Sequence, residues 1–266
     1  RAVNVANYLS DGLDRGARAI EILFVAHQAG LLNESAQVQL VGWLHEKKRW
    51  AESIPLLEPL VSQRPDNIHY RTQLMLAFHQ SKRPEQLTEL VKQTDAHFHQ
   101  AGRWTDWNIG QFAGGCLRCK LHERAVGYFN EAIALYQRAG NSGFNDSTLS
   151  NYYSQLADAQ SALGHTKEAV DAASAAIVSW DSHNQHRQHV LDKLKQVLSA
   201  AKDLDQYVEH LNAEATKTGQ DSPILRKAVG QTYQARKEHA KAIAQLQLAA
   251  ELQPNDHEIH QALIAC

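Results

Sequence analysis

Three short stretches hold residue types that could do chemistry. In CLRCKLH, residues 116–122, Cys116, Cys119 and His122 stand at intervals of three. On a helix such positions lie on one side, so two thiolates and an imidazole could reach one zinc ion. No second pair of ligands stands near them, and buried cysteine often serves as a small packing residue, which is the simpler account of Cys116. In WDSHNQHRQHV, His183, His186 and His189 could hold a transition metal, and His97 with His99 forms a further pair. The stretch around them is polar throughout and reads better as a solvated turn. The third stretch is DWNIGQFAGGCLRC, residues 106–119, where Trp107 and Arg118 flank Gly110, Gly114 and Gly115. Each glycine inside a helix costs about 1 kcal/mol relative to alanine. Close packing between neighbouring helices, drift in a tolerant position and a recognition trough are the alternative accounts.

No catalytic constellation accompanies these groups. The chain has no GxSxG, no phosphate-binding glycine loop, no HExxH and no acid pair placed by a rigid strand. Neither an enzyme, nor a cofactor, nor a stoichiometric metal ion is expected. The 266 residues carry 27 basic against 29 acidic side chains, a net charge of −2, with 43% hydrophobic content. That balance gives no electrostatic case for nucleic acid or an anionic membrane. The strongest apolar run, ILFVA at 22–26, falls far short of the roughly 20 residues that span a bilayer. Three cysteines are too few for a disulfide framework and favour a reducing, cytoplasmic setting. The first residue is Arg1, and RAVNVANYLSDG lacks the apolar core of a signal peptide, as expected for a piece of a longer protein.

The elements that position these residues follow from a repeated punctuation. LLEPLVSQRPDNIHYR and QLQLAAELQPNDHEIH both end an apolar run with proline, asparagine and aspartate and then begin another. Counting from Pro223, residues Val229, Gly230 and Tyr233 fall at positions seven, eight and eleven. Ala242 falls at twenty, Leu246 and Ala249 at twenty-four and twenty-seven, and Pro254 at thirty-two. Small residues at eight and twenty let two antiparallel helices approach, large apolar ones fill the space around them, and proline stops the second helix. This spacing resembles the tetratricopeptide repeat (TPR) family. Laid at Glu34, the same count gives Leu40, Leu44, Trp50, Ser53, Leu57, Leu60 and Pro65. Position twenty recurs at Ser53, Leu87, Ala125, Ala169, Tyr207 and Ala242, with steps of 34, 38, 44, 38 and 35. Lys195 and Tyr207 replace the small residues expected in one weaker unit.

The resemblance implies an all-α, right-handed superhelical solenoid of antiparallel helix pairs, in a single array over 1–266. Its units are 1–33 (truncated), 34–67, 68–105, 106–149, 150–187, 188–222, 223–256 and 257–266 (truncated). HEAT or armadillo repeats are the alternative for the long middle units. No run alternates with the strand period, so no sheet is expected. Neither end has the polar face of a capping repeat, so both are expected to be cuts through a longer array, open to self-association.

In such arrays the concave wall is built from positions two, five, nine, twelve and thirteen of each first helix. The resemblance therefore places Trp107, Gly110, Gly114, Leu117 and Arg118 on that wall, joined by Asn151, Ser154, Asp158 and Ser161 from the next unit. His69, Thr72, Leu76 and His79 come from the preceding one. Gly110 and Gly114 would form a shallow trough between Trp107 and Arg118. The lysine, asparagine and arginine clamp of chaperone-binding arrays is missing, since Val38, Gly42, Gln73, Trp107 and Gln111 stand in its place. The function implied is a non-catalytic scaffold whose concave face binds a protein or peptide. A regulatory or substrate-presenting arm of a larger enzyme, and a self-assembly element, are the alternatives. Membrane insertion and nucleic-acid binding are not expected.

Overall fold

The computed structural model describes residues 15–100, 102, 104–140, 147–179, 187–201, 203–219 and 221–266. Among them lie fourteen helices and no strand. They divide into two units, one ending at Leu121 and the other beginning at His122. The first holds α1 (Arg15–Gln28), α2 (Glu34–Glu46), α3 (Trp50–Gln63), α4 (Ile68–Gln80), α5 (Pro84–Gln100) and α6 (Asp106–Arg118). The second holds α7 (His122–Arg138), α8 (Ser147–Ala162), α9 (Thr166–Val178), α10 (Arg187–Ala200), α11 (Leu204–Thr218), α12 (Pro223–Ala235), α13 (His239–Leu252) and α14 (His257–Ile264).

Side-chain caps start the first helices of the pairs. Asn33 accepts from the Ala36 N–H at 2.9 Å, and Asn67 from those of His69 and Tyr70 at 3.0 and 3.3 Å. Asp256 accepts from Glu258 and Ile259 at 2.9 and 3.2 Å. The two proline turns therefore end in the same device: an Asn or Asp whose oxygen takes up donors that the first helical turn leaves unpaired.

The first helices also end alike. Lys48, Lys82, Lys120 and Lys237 have φ of 57°, 56°, 59° and 63°, and Gly164 has 78°. The following N–H turns back to the helix carbonyl of Leu44, Phe78, Cys116, Tyr233 or Gln160, at 2.8 to 3.0 Å. This Schellman closure needs a left-handed residue, which glycine adopts freely and lysine at a cost. It reverses the chain within a few residues, and within the units α3 lies back on α2, α5 on α4, α9 on α8 and α13 on α12.

Packing follows the small positions. Ser53, Ala125, Ala169 and Ala242 are completely buried. A Cβ on Gly230 would sit 2.6 Å from Leu246 Cγ, so α12 and α13 approach as closely as glycine allows. A Cβ on Gly115 would meet Thr72 Cγ2 at 2.8 Å, which sets the approach of α6 to α4. First helices touch first helices of the next pair: α4 with α6 in one unit, α8 with α10 and α10 with α12 in the other. Within each unit these helices bury against one another faces that no single hairpin covers, as stacked repeats must.

Polar side chains link successive pairs. The Glu34 carboxylate accepts from Tyr70 Oη at 2.8 Å and from Arg64 at 3.2 Å, which holds its carboxyl below the ordinary range. His45 lies between Gln73 Oε1 at 3.0 Å and Ser53 Oγ at 2.9 Å, with its ring 4.5 Å from that of Trp50. Burial holds this histidine below its ordinary value, against the opposite pull of the Gln73 bond. Arg226, 2% exposed, is met by Asp221, Asn212 and Gln245, so its buried charge is both paired and hydrogen-bonded.

Candidate partner-binding surface

The first turn of α6 sets Trp107 in place. Thr105 caps the helix through the Asn108 N–H at 3.2 Å, and Trp107 follows two residues later. Its neighbour in sequence, Trp104, has the opposite fate. It stacks on Phe98 with centroids 4.9 Å apart, approaches Phe112 at 5.6 Å, and donates its indole N–H to His99 Nδ1 at 2.6 Å. Trp104 is thus an anchor for the start of α6, whereas Trp107 is 55% exposed.

Beside Trp107 lies a cavity of ≈ 540 Å³, lined by the α3–α4 turn from Gln63 to Ile68 and by Trp107 itself. Pro65 gives that turn an apolar wall. Asp66 is held by His97 Nε2 at 2.8 Å, and Arg64 by Glu34. Arg118, at the other end of α6, is exposed. His69 lies within its electrostatic reach, and burial together with the Arg118 charge holds His69 below its ordinary value. An exposed indole over a proline turn can hold an apolar side chain, and an arginine close to a neutral histidine favours a negatively charged or carbonyl group.

The other expected contacts differ among themselves. Gly110 and Gly114 are buried, so they lie beneath the surface. Thr72 is buried as well, its methyl against Gly115 and its hydroxyl donating to His69 O at 3.0 Å. Trp107, Gly110, Gly114 and Arg118 belong to the first unit, while Asn151, Ser154 and Asp158 belong to the second. In the second unit Asn151 is exposed, Ser154 is buried, and Asp158 pairs with Lys193 of α10. The turn at Pro65, and the split between Trp104 and Trp107, carry no signal in the spacing of α6.

Among the described residues, no group of three or more His, Cys, Asp or Glu is arranged to hold a metal ion. Cys116 and Cys119 are buried thiols, and burial pushes Cys119 up to about 12. A thiol held protonated by burial is a weak nucleophile. His183 and His186 lie outside the described residues, as does the side chain of His189. No described helix is long and apolar enough to cross a membrane.

With paired helices, left-handed closures and small-residue contacts in place, the chain has the fold of a TPR-like helical repeat array. It is similar to the nearly identical TPR-like repeats of a putative kinesin light chain from Podosopora anserina, with a TM-score of 0.50 and 15% identity, covering 82% of this chain and 96% of that one. It is also similar to a tetratricopeptide repeat protein from Parabacteroides merdae, with a TM-score of 0.50 and 10% identity, covering 99% of this chain and 96% of the other. No family model and no curated protein matches the sequence. At these identities the likeness is one of fold.

Proposed function

We propose that this chain is a non-catalytic protein-interaction scaffold, which holds an extended or helical segment of a partner protein along the face formed by its first helices. TPR-like folds serve generally as protein-interaction scaffolds. One observation carries the reading: Trp107 stands 55% exposed beside a ≈ 540 Å³ cavity, while the neighbouring aromatic residues of α5 and α6, Phe98 and Phe112, are buried. A rigid indole is an effective anchor because little side-chain entropy is lost when it docks. Arg118 would pair with a carboxylate or with backbone carbonyls of the bound segment. Gly110 and Gly114 would keep the helix between these two residues low. On the second unit, Asn151, Ser154 and Asp158 are the corresponding contacts, with Asn151 the most accessible of them.

The test begins with a partner recovered with the intact protein, followed by affinity measurements on variants. Trp107→Ala is expected to cost about 2 kcal/mol of binding, as for a hot-spot aromatic. Arg118→Ala is expected to cost about 1 to 2 kcal/mol, a hydrogen-bonded charge at a rim. Both variants should keep the helical circular dichroism of the parent. Unchanged affinity in both would move the partner surface elsewhere on the array.

A further inference from the structure

Tyr207 stands where four other helix pairs carry serine or alanine and one carries Leu87. Serine or alanine at that place, as in Ser53, Ala125, Ala169 and Ala242, lets the second helix sink against its neighbours. The phenol of Tyr207 instead reaches across to α9, where its hydroxyl and Ser174 Oγ are 2.7 Å apart. The ring acts as a strut. Along α11 only Leu204 is buried, and between α9 and α11 opens a cavity of ≈ 580 Å³.

The walls of this cleft have a definite chemistry. Val170 is buried and Tyr207 half-buried, which gives an apolar floor with an aromatic ring. Asp171 lies beside them, half-buried, and among the described residues no donor forms a hydrogen bond with its carboxylate. Burial raises its carboxyl above the ordinary range, although His210 and Lys167 pull the other way. Asp203 and Glu209 stand at the exposed rim, so the described lining carries three carboxylates against the single ammonium of Lys167. The field in the cleft draws cations and repels anions.

The kind of cation follows from the same geometry. A bare metal ion is a poor fit, because no three of these acidic and imidazole groups converge on one point. A half-buried carboxylate that no described residue donates to is best answered by a group that brings several N–H bonds at once. Guanidinium does so in a fixed fork, is weakly hydrated and stacks on aromatic rings. We propose that the α9–α11 cleft binds a guanidinium group on a short aliphatic stem, paired with Asp171 and laid against the Tyr207 ring. The source is either an arginine side chain of a partner segment or a free arginine-like cation. This site lies wholly within the second unit and does not depend on Trp107.

The test is calorimetric titration of the 266-residue chain with L-argininamide and with L-citrullinamide, in which a neutral urea replaces guanidinium. Argininamide is expected to bind one per chain and at least about tenfold tighter than citrullinamide, as for a charged hydrogen-bonded pair. Asp171→Asn should remove that preference while leaving the helical spectrum unchanged. Ala213→Phe, which fills the cleft from the exposed side of α11, should abolish binding of both. An acetyl-Gly-Arg-Gly-amide peptide that binds tighter than argininamide assigns the site to a partner side chain, and the reverse order assigns it to a free cation. Equal affinity for argininamide and citrullinamide, or an Asp171→Asn variant as tight as the parent, would overturn the proposal. So would the absence of argininamide saturation up to about 10 mM, the scale on which one good ion pair in a cleft is still detected.

Discussion

Replacing Gly230 by alanine sets two effects of opposite sign against each other. Alanine in a helix interior is favoured over glycine by about 1 kcal/mol, so propensity alone predicts a more stable protein. The added methyl, however, would lie 2.6 Å from Leu246 Cγ, 3.0 Å from its Cδ2 and 3.3 Å from Ala242 O. Cγ is the root of the Leu246 side chain, and Leu246 has no exposed surface, so neither rotation nor displacement toward solvent relieves the contact. Overpacking of this kind costs about 1 to 3 kcal/mol. The net expectation is a loss of about 0 to 2 kcal/mol. Gly42 and Gly127 supply the control: each lies inside a helix, with nothing within 4 Å of an added Cβ. Gly42→Ala and Gly127→Ala should each gain close to the full propensity difference of about 1 kcal/mol. Urea unfolding followed by circular dichroism reads all three, with midpoints rising for the controls and unchanged or falling for Gly230→Ala. A Gly230→Ala midpoint that rises with the others would refute close contact between α12 and α13 as the reason for glycine there.

Lys237→Gly, at φ 63°, should stabilise by about 0.5 to 1 kcal/mol, because relief of left-handed strain outweighs the extra freedom of the unfolded glycine; a fall in the thermal midpoint would count against this. His45, held below its ordinary value of 6.5 by burial, binds its proton less readily folded than unfolded. Its contribution is therefore present above pH about 6.5 and is lost as pH falls toward the depressed folded value, so His45→Gln should show a shallower loss of stability between pH about 7 and 5. An unchanged slope would exclude His45 as a source of acid sensitivity. A thiol reagent at mild alkaline pH should titrate Cys266 quickly and the buried Cys116 and Cys119 only after unfolding; two fast thiols in the native protein would contradict the burial of the pair.

Much of the fold was legible because helix ends have local chemistry. The PDN and PND turns announce helix stops through proline and helix starts through Asn67 and Asp256, whose caps need only neighbouring backbone. The alternation of small and large residues was likewise readable, since Gly230 and Ala242 mark where two helices must meet. The glycine run of α6 was less so. Position counting marks Gly110 and Gly114, yet the contact at Gly115 depends on Thr72 of another helix, and nothing in the local pattern shows which neighbour reaches it. Trp104 and Trp107 differ by three residues and by everything in environment, because Trp104 precedes the helix and is captured by Phe98 and Phe112. His45, Ser53 and Gln73 come together from three helices, with no spacing that marks them. Tyr207 was visible as a misfit, but the cleft it opens depends on Ser174.

The same strut has a mechanical consequence. In a linear array each element is stabilised chiefly by its neighbours, so the whole is as cooperative as its weakest coupling. With Leu204 as its one buried side chain, α11 adds little apolar burial to that coupling and is tied to its neighbours mainly by polar bonds, Tyr207 to Ser174, Asp205 to Tyr233 and Lys241, and Asn212 to Arg226. Continuity past it rests on the contacts of α10 with α8 and α12, and on Arg236, which reaches the carbonyls of Leu198 and Ala201 at the end of α10. Opening of α11 therefore leaves α8, α10 and α12 in register, as a hinge pin can be drawn while the leaves stay aligned. Protease nicks should collect between Asp205 and Gly219 long before the rest of the second unit yields, and pulling on the two ends of the chain should give an early, low-force step before the main rupture.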